Sequence, residues 1–103
     1  MLDLIKNNID NISNLCKEHK VKQLFLFGSA LTNKFNENSD LDFAVIFNDQ
    51  LSPIEHGEAF FNLLEDLEKL LKIQIDLISY RAVKNPIFKE ELDNTKYSLY
   101  AAA

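Results

Sequence analysis

Two carboxylates stand close together in this chain, Asp40 and Asp42, with Leu41 between them. Side chains two residues apart on a β-strand leave the same face, so these carboxylates would lie side by side. Like charges at that spacing raise each other's pKa and cost stability unless a cation sits between them. Mg²⁺ takes oxygen ligands and often uses one or two protein carboxylates together with substrate phosphates. The pair is therefore a candidate metal-nucleotide site, although a lone Asp-x-Asp is more often two solvated acids.

A third carboxylate, Asp76, stands in the middle of the run Ile73-Gln74-Ile75-Asp76-Leu77-Ile78. A charged side chain is out of place there unless its face of the strand is functional or solvated. If this strand lies beside that of Asp40 and Asp42, three carboxylates converge. Such a set could hold two metal ions that steady the attacking and leaving oxygens of an in-line phosphoryl displacement. The alternative is the polar outer face of an antiparallel sheet.

Gly28 and Ser29 follow the apolar run Leu24-Phe25-Leu26-Phe27. A glycine at the end of a strand lets a phosphate approach the backbone, and the following N–H groups and the Ser29 hydroxyl can donate to it. A short helix beginning at Ala30 would add to such an anion site. As a bare dipeptide, however, Gly-Ser is only a turn signal.

The elements that position these residues follow from hydrophobic spacing. Apolar residues at helical intervals predict a helix over about residues 2–20, and a buried strand over 21–27 follows. Residues 32–39 are polar and predict a loop. Residues 41–47 alternate, with Leu41, Phe43, Val45 and Phe47 on one face and Asp40, Asp42, Ala44 and Ile46 on the other.

The second half of the chain continues the same alternation of helix and strand. Ser52, Pro53 and Glu55 carry an N-cap, a first-turn proline and a capping box, which predict a helix ending near Lys72. Residues 73–79 predict a strand. Residues from Asn85-Pro86 onward predict a last helix, with Phe88, Leu92 and Leu99 near its buried side and the Tyr97–Tyr100 pair on a helix face. The order predicts an α+β fold of α/β type, a small sheet flanked by helices, in one domain over residues 1–103.

Composition excludes several functional classes. The formal net charge is −5, and Arg81 is the only arginine, so the chain lacks the basic surface that sequence-independent nucleic-acid binding requires. No run approaches the length of a membrane span, and the N-terminus has no secretory pattern, which predicts a cytoplasmic protein without a membrane partner. Cys16 is the single cysteine and is expected in the core, while His19 is expected to be an isolated surface or helix-end residue.

Taken together, the pattern is Gly-Ser, ten residues, Asp-x-Asp, then a later Asp inside a strand. It resembles the nucleotidyltransferase superfamily of DNA polymerase beta, and the chain length is most similar to the minimal nucleotidyltransferase (MNT) antitoxins. The resemblance runs from Leu24-Phe25-Leu26-Phe27-Gly28-Ser29 through Ser39-Asp40-Leu41-Asp42 to Asp76. It implies a mixed sheet, Asp40 and Asp42 as metal ligands, and Asp76 as the third carboxylate, bridging metal or activating the acceptor hydroxyl.

The resemblance also implies an activity and a partner. In that family the antitoxin transfers AMP from ATP, with two Mg²⁺ ions, to a tyrosine of a HEPN-type toxin and silences it. An assembly with the toxin is expected. Two other functions remain open: a non-catalytic antitoxin that masks its partner, and a subunit that modifies a small molecule such as an aminoglycoside.

The chain departs from the family pattern after Gly28-Ser29. Many relatives have Arg next and a second Gly shortly beyond, whereas this chain has Ala30-Leu31-Thr32-Asn33. Lys34 and Arg81 are the candidates for the cation that meets the terminal phosphates. Because all three carboxylates are present, an active site rather than a degenerate one is expected.

Overall fold

The computed structural model describes residues 3–32 and 39–102 as three α-helices, two short 3₁₀ turns and four strands. In chain order these are α1 (Asp3–Glu18), β1 (Val21–Phe27), a 3₁₀ turn (Gly28–Leu31), β2 (Leu41–Phe47), α2 (Pro53–Leu71), β3 (Ile75–Ser79), a 3₁₀ turn (Tyr80–Ala82), α3 (Pro86–Thr95) and β4 (Tyr97–Ala101). No helix in the described part of the chain is long and apolar enough to cross a membrane.

The four strands form one mixed sheet in the order β3-β2-β1-β4. β1 is antiparallel to both β2 and β4, and β2 is parallel to β3. Parallel neighbours need a crossover connection, which α2 supplies between β2 and β3. Because β2 and β3 are parallel, their first residues lie at the same end of the sheet.

One face of the sheet packs against α1 and α2 and forms the larger core. This cluster joins strand residues such as Leu26, Phe43 and Leu77 to the helix residues Ile12 and Leu67. Cys16 belongs to it, as the sequence predicted, and burial raises the pKa of its thiol to about 12. The thiol is therefore protonated and unreactive at neutral pH.

The opposite face carries a second, smaller cluster under α3. Phe25 and Phe27 of β1 and Ala44 and Ile46 of β2 pack with Leu92 of α3. Asp42 belongs to this same face by strand alternation, but it lies at the start of β2, beyond the apolar patch. α3 thus covers the middle of this face and does not cover the start of β2, where Asp42 lies.

The predicted helix starts are confirmed. Ser52 caps α2 through a hydrogen bond from the Glu55 backbone N–H (3.2 Å), and the Glu55 carboxylate accepts from the Ser52 backbone N–H (3.1 Å). Asn85 caps α3 by accepting from the backbone N–H groups of Ile87 and Phe88. The strand predicted at 73–79 begins two residues later, at Ile75.

The prediction of three strands and a helical C-terminus is wrong in its last element. α3 ends at Thr95, and Tyr97–Ala101 forms β4 against β1, so Leu99 is buried in the larger core and the Tyr97–Tyr100 pair lies on a strand. The physical reason is that β1 would otherwise be an edge strand with unpaired backbone groups, and aromatic residues favour strand geometry. The predicted α+β class is unaffected.

We predict that Leu92→Ala, which removes the α3 side chain buried at 1% exposure, lowers the free energy of unfolding by roughly 2–5 kcal/mol. Ile87→Ala on the same helix, at a position 78% exposed, should change it by less than about 0.5 kcal/mol. Urea titration followed by circular dichroism measures both. Equal effects would contradict the packing of α3 on the sheet.

Candidate active site

Asp42 and Asp76 come together because their strands are parallel neighbours in register. They are Cα partners across β2 and β3, as Phe43 and Leu77 are one position later. Since Phe43 and Leu77 both point into the larger core, Asp42 and Asp76 both leave the opposite face. Their carboxyl groups are within hydrogen-bonding reach of each other. The fold thus makes the two strands neighbours, as convergence of their carboxylates requires.

Asp40 lies one residue before β2 and is exposed. Its charge acts on Asp42 without a hydrogen bond between them, so it stands farther from Asp42 than Asp76 does. Within residues 3–32 and 39–102, the three aspartates are not a group whose ligand oxygens all lie within 4.8 Å of one another.

The pKa of the Asp42 carboxyl is raised to about 6. Partial burial is the largest cause, followed by the charge of Asp76, the hydrogen bond shared with Asp76 and the charge of Asp40. A hydrogen bond donated by the Ser29 backbone N–H acts in the opposite direction and favours the ionised form. The site therefore has a carboxylate whose ionisation is costly without a counter-charge.

Gly28 closes the site from the β1 side. Phe27 is the Cα partner of Asp42, so the turn after it begins beside the Asp42 side chain. Gly28 has φ +77°, a conformation that L-residues rarely adopt, and a methyl group on it would overlap Oδ2 of Asp42 and stand 3.1 Å from its Cγ. A glycine is required here by both the backbone and the carboxylate.

The two candidate phosphate-binding cations are placed differently. Lys34 lies outside the described residues. Arg81 follows β3, and its Nη1 is 2.5 Å from Oδ1 of Asp49, which also pairs with Lys22 (3.5 Å). Asp49 follows the end of β2, whereas Asp42 lies at its start. The five residues from Asp42 to the end of β2 span about 17 Å. The structure does not bring Arg81 to the carboxylates, and its geometry does not favour the predicted phosphate contact.

The family model for polymerase beta-type nucleotidyltransferases matches residues 10–102. The chain belongs to this family. The same stretch contains Gly28, Ser29 and the three aspartates, so the family match and the geometry concern the same part of the molecule. The nucleotidyltransferase assignment and the mixed α+β fold predicted from the sequence are both confirmed.

Two relatives with similar sequences are named as protein adenylyltransferases. A proposed protein adenylyltransferase of Methanocaldococcus jannaschii is 34% identical over 76 residues, which are 74% of this chain and 74% of that protein. The protein adenylyltransferase MntA of Thermococcus cleftensis is 29% identical over 86% of this chain and 94% of its own.

Two solved structures share the fold closely. A crystal structure of a toxin–antitoxin with AMP-PNP has a TM-score of 0.70 and 26% identity, covering 92% of this chain and 74% of that chain. A proposed minimal nucleotidyltransferase has a TM-score of 0.69 and 26% identity, covering 93% and 95%. The similarity to the minimal nucleotidyltransferase extends over nearly the full length of both chains.

Two groups of side chains outside the three aspartates were not identified from the sequence. His19, expected to be isolated, is 2.6 Å from Oδ2 of Asp66, and with Glu18 it forms a group whose possible ligand atoms lie within 4.8 Å of one another. It joins the end of α1 to α2, at the end of β1 opposite Gly28, so we interpret it as a hydrogen bond between helices. No spacing in the sequence links His19 to Asp66.

The second missed group lies on α3. Phe88, Glu91, Leu92 and Thr95 form one face of the helix and border a cavity beside Gly28 and Ser29. Their spacing at i, i+3, i+4 and i+7 is a helix-face signal that was present in the sequence. It could not indicate a site, because nothing in the sequence places α3 next to the end of β1.

We predict that Gly28→Ala lowers the free energy of unfolding by about 1–3 kcal/mol, because it combines left-handed strain with the overlap at Asp42. The matched control is Gly57→Ala in α2, where nothing lies within 4 Å of an added methyl. That change should stabilise the protein by about 0.5–1 kcal/mol. In an Asp42→Ala background the Gly28→Ala cost should shrink to the backbone strain alone. An unchanged cost in that cycle would show that the overlap contributes nothing.

A second prediction follows from the raised pKa of Asp42. The native state holds this proton more tightly than the unfolded chain, so the associated stability is present below about pH 4 and is lost as pH rises through about 6. Without metal, Asp42→Asn should therefore exceed wild type in stability at pH 7–8. Solvent screening reduces the gain to about 1 kcal/mol, or roughly 4–8 °C in Tm.

The measurement is thermal unfolding in chelator from pH 4 to pH 8, compared as the difference between the two proteins. The exposed Asp10→Asn variant in α1 is the control and should show no such difference. A gap between wild type and Asp42→Asn that is the same at pH 4 and pH 8 would refute the assignment of the raised pKa.

Proposed function

We propose that this chain is a protein adenylyltransferase that transfers AMP from Mg-ATP to a tyrosine hydroxyl of a HEPN-type toxin and thereby acts as its antitoxin. The observation that carries the proposal is the packing of Asp42 between the Gly28–Ser29 backbone and Asp76. This arrangement puts a phosphate-compatible turn, a metal-compatible carboxylate and a candidate base next to one another. The names of the relatives support a protein acceptor.

The donor set fits magnesium. Asp40, Asp42 and Asp76 offer only carboxylate oxygens, which are the ligands that Mg²⁺ prefers. The raised pKa of Asp42 fits as well, because a divalent cation would offset the burial of the ionised carboxylate and its repulsion by Asp76. We propose that the three aspartates hold two Mg²⁺ ions together with the nucleotide phosphates. Bound there, the ions would neutralise charge on the phosphates and on the attacking and leaving oxygens.

The protein's own groups would act on both sides of the α-phosphorus. The backbone at Gly28 and Ser29 would hold the phosphates of ATP, since its turn leaves room for close approach. Asp76 is exposed, so an acceptor hydroxyl can reach it, and its carboxylate would take the hydroxyl proton. The acceptor oxygen then bonds to the α-phosphorus, the bond to the bridging oxygen breaks, and pyrophosphate leaves with the electron pair.

A protein acceptor also fits the solved neighbours. The solved neighbour with AMP-PNP is a toxin–antitoxin, and 74% of the matching chain is covered by this one. We propose that the HEPN-type partner completes the acceptor side and forms an assembly with this chain.

The test is label transfer from ATP into proteins of the host lysate, run in parallel with α-labelled and γ-labelled ATP. We expect a labelled protein with the α label only, because AMP rather than phosphate is transferred. The Asp42→Asn and Asp76→Asn variants should lose at least about a hundredfold in rate, as expected when a metal ligand or a catalytic base is removed. The matched control is Asp49→Asn, a carboxylate at the other end of β2, which should transfer normally.

Three results would count against the proposal. Transfer that survives both Asp42→Asn and Asp76→Asn would remove the assigned site. Inhibition of a toxin partner without ATP, by a variant lacking all three aspartates, would favour a masking antitoxin. Label that appears only in acid-soluble small molecules would favour the aminoglycoside type of acceptor.

A further inference from the structure

A cavity of about 520 Å³ opens beside Gly28 and Ser29, between the end of β1 and α3. Its apolar walls are Phe27 and Leu31 on one side and Phe88 and Leu92 on the other. The rings of Phe27 and Phe88 are 6.1 Å apart and meet edge to face at 66°. The volume lies in the range of small-molecule sites, which are mostly apolar with a few polar groups.

The lining chemistry selects the kind of ligand. Among the described residues that border the cavity there is no Lys or Arg, and the one charged side chain is that of Glu91. Because most of the cavity wall is apolar, its interior suits an uncharged part of a ligand better than a phosphate chain, which would meet Gly28 and Ser29 at its border. Aromatic and aliphatic walls favour a flat, weakly polar ring, and the Glu91 carboxylate can accept a hydrogen bond from an amino group on its edge.

The position of the cavity relates it to the nucleotide site. Phe27 is the strand partner of Asp42, and Gly28 contacts the Asp42 carboxylate. Asp76 lies on the other side of β2, so the cavity and the candidate base flank Asp42 from opposite sides. A nucleotide whose phosphates meet Gly28 and Ser29 therefore has this cavity within reach of its base, away from the acceptor side.

We propose that this cavity binds the purine base of the nucleotide, with Phe88 as its apolar wall and Glu91 accepting from the exocyclic amino group. The inference rests on the proposed function and assigns the base selectivity of that site to α3. α3 then has two roles. Leu92 packs it against the sheet, while Phe88 contacts the base and Glu91 accepts a hydrogen bond from it. The sequence departure after Gly28-Ser29 does not affect this arrangement, because the base contacts come from another element.

The test measures equilibrium binding of ATP and of tripolyphosphate, each with Mg²⁺, by calorimetry. Phe88→Ala should weaken ATP binding about tenfold or more, as loss of an aromatic contact to a base does, and should leave tripolyphosphate unchanged. Ile87→Ala, at an exposed neighbouring position outside the cavity, should bind both ligands like wild type. Equal weakening of both ligands, or of neither, by Phe88→Ala would overturn the proposal.

Two further variants separate this cavity from its neighbour, since Phe88 also borders a groove lined by Val83 on the β3 side. Glu91→Ala should abolish the preference of wild type for ATP over purine riboside triphosphate, which lacks the amino group. Val83→Ala should leave ATP affinity intact. Loss of ATP affinity in Val83→Ala with an unchanged preference in Glu91→Ala would place the base in the other groove and refute the proposal. Glu91 is exposed, so its variant tests the cavity even if Phe88→Ala unfolds.

Failure of this inference can be told apart from failure of the proposed function. If Phe88→Ala and Glu91→Ala bind ATP like wild type while Asp42→Asn loses label transfer, the base cavity is refuted and the transferase stands. If the two variants change ATP binding as expected while wild type transfers no label, the base cavity is supported and the transferase is not.

Discussion

The close approach of the Gly28 backbone to the Asp42 carboxylate is the constraint on which the site depends. Asp42 is held between that backbone, which donates from Ser29, and the like charge of Asp76. The arrangement is unfavourable for an ionised carboxylate in the free protein. It would become favourable if a cation supplied the opposite charge and phosphate oxygens supplied the remaining ligands of that cation. Stability given up at a site of this kind is regained elsewhere, here in the apolar core under α1 and α2.

The strand order of the sheet places different groups on the two sides of Asp42. β1 brings the turn from one side of Asp42, and the parallel strand β3 brings Asp76 from the other. In the proposed reaction, the nucleotide phosphates and the acceptor hydroxyl would approach from these two sides, as an in-line displacement requires. α3 covers the middle of this face of the sheet, and Asp42 and Asp76 lie beyond it, where β2 and β3 begin.

Two of the described basic side chains lie away from the aspartate cluster. Arg81 and Lys22 are both engaged with Asp49 at the end of β2 away from the site. Among the described residues, those beside Asp42 are acidic or uncharged.

The sequence by itself determined the family, the α+β class and the candidate residues of the site. Local signals were enough for these: the capping box at Ser52, the alternation of β2, and the Gly-Ser and Asp-x-Asp spacing. Only the tertiary structure decided which of the candidates meet. Asp42 meets Asp76 because β2 and β3 are parallel and in register. Arg81 lies away from these aspartates, where it forms an ion pair with Asp49. Residues 97–101 became a strand because β1 offered an unpaired edge, and the cavity on α3 exists because Leu92 anchors that helix beside Gly28. In each case the deciding contact joins residues far apart in the chain, which no local pattern records.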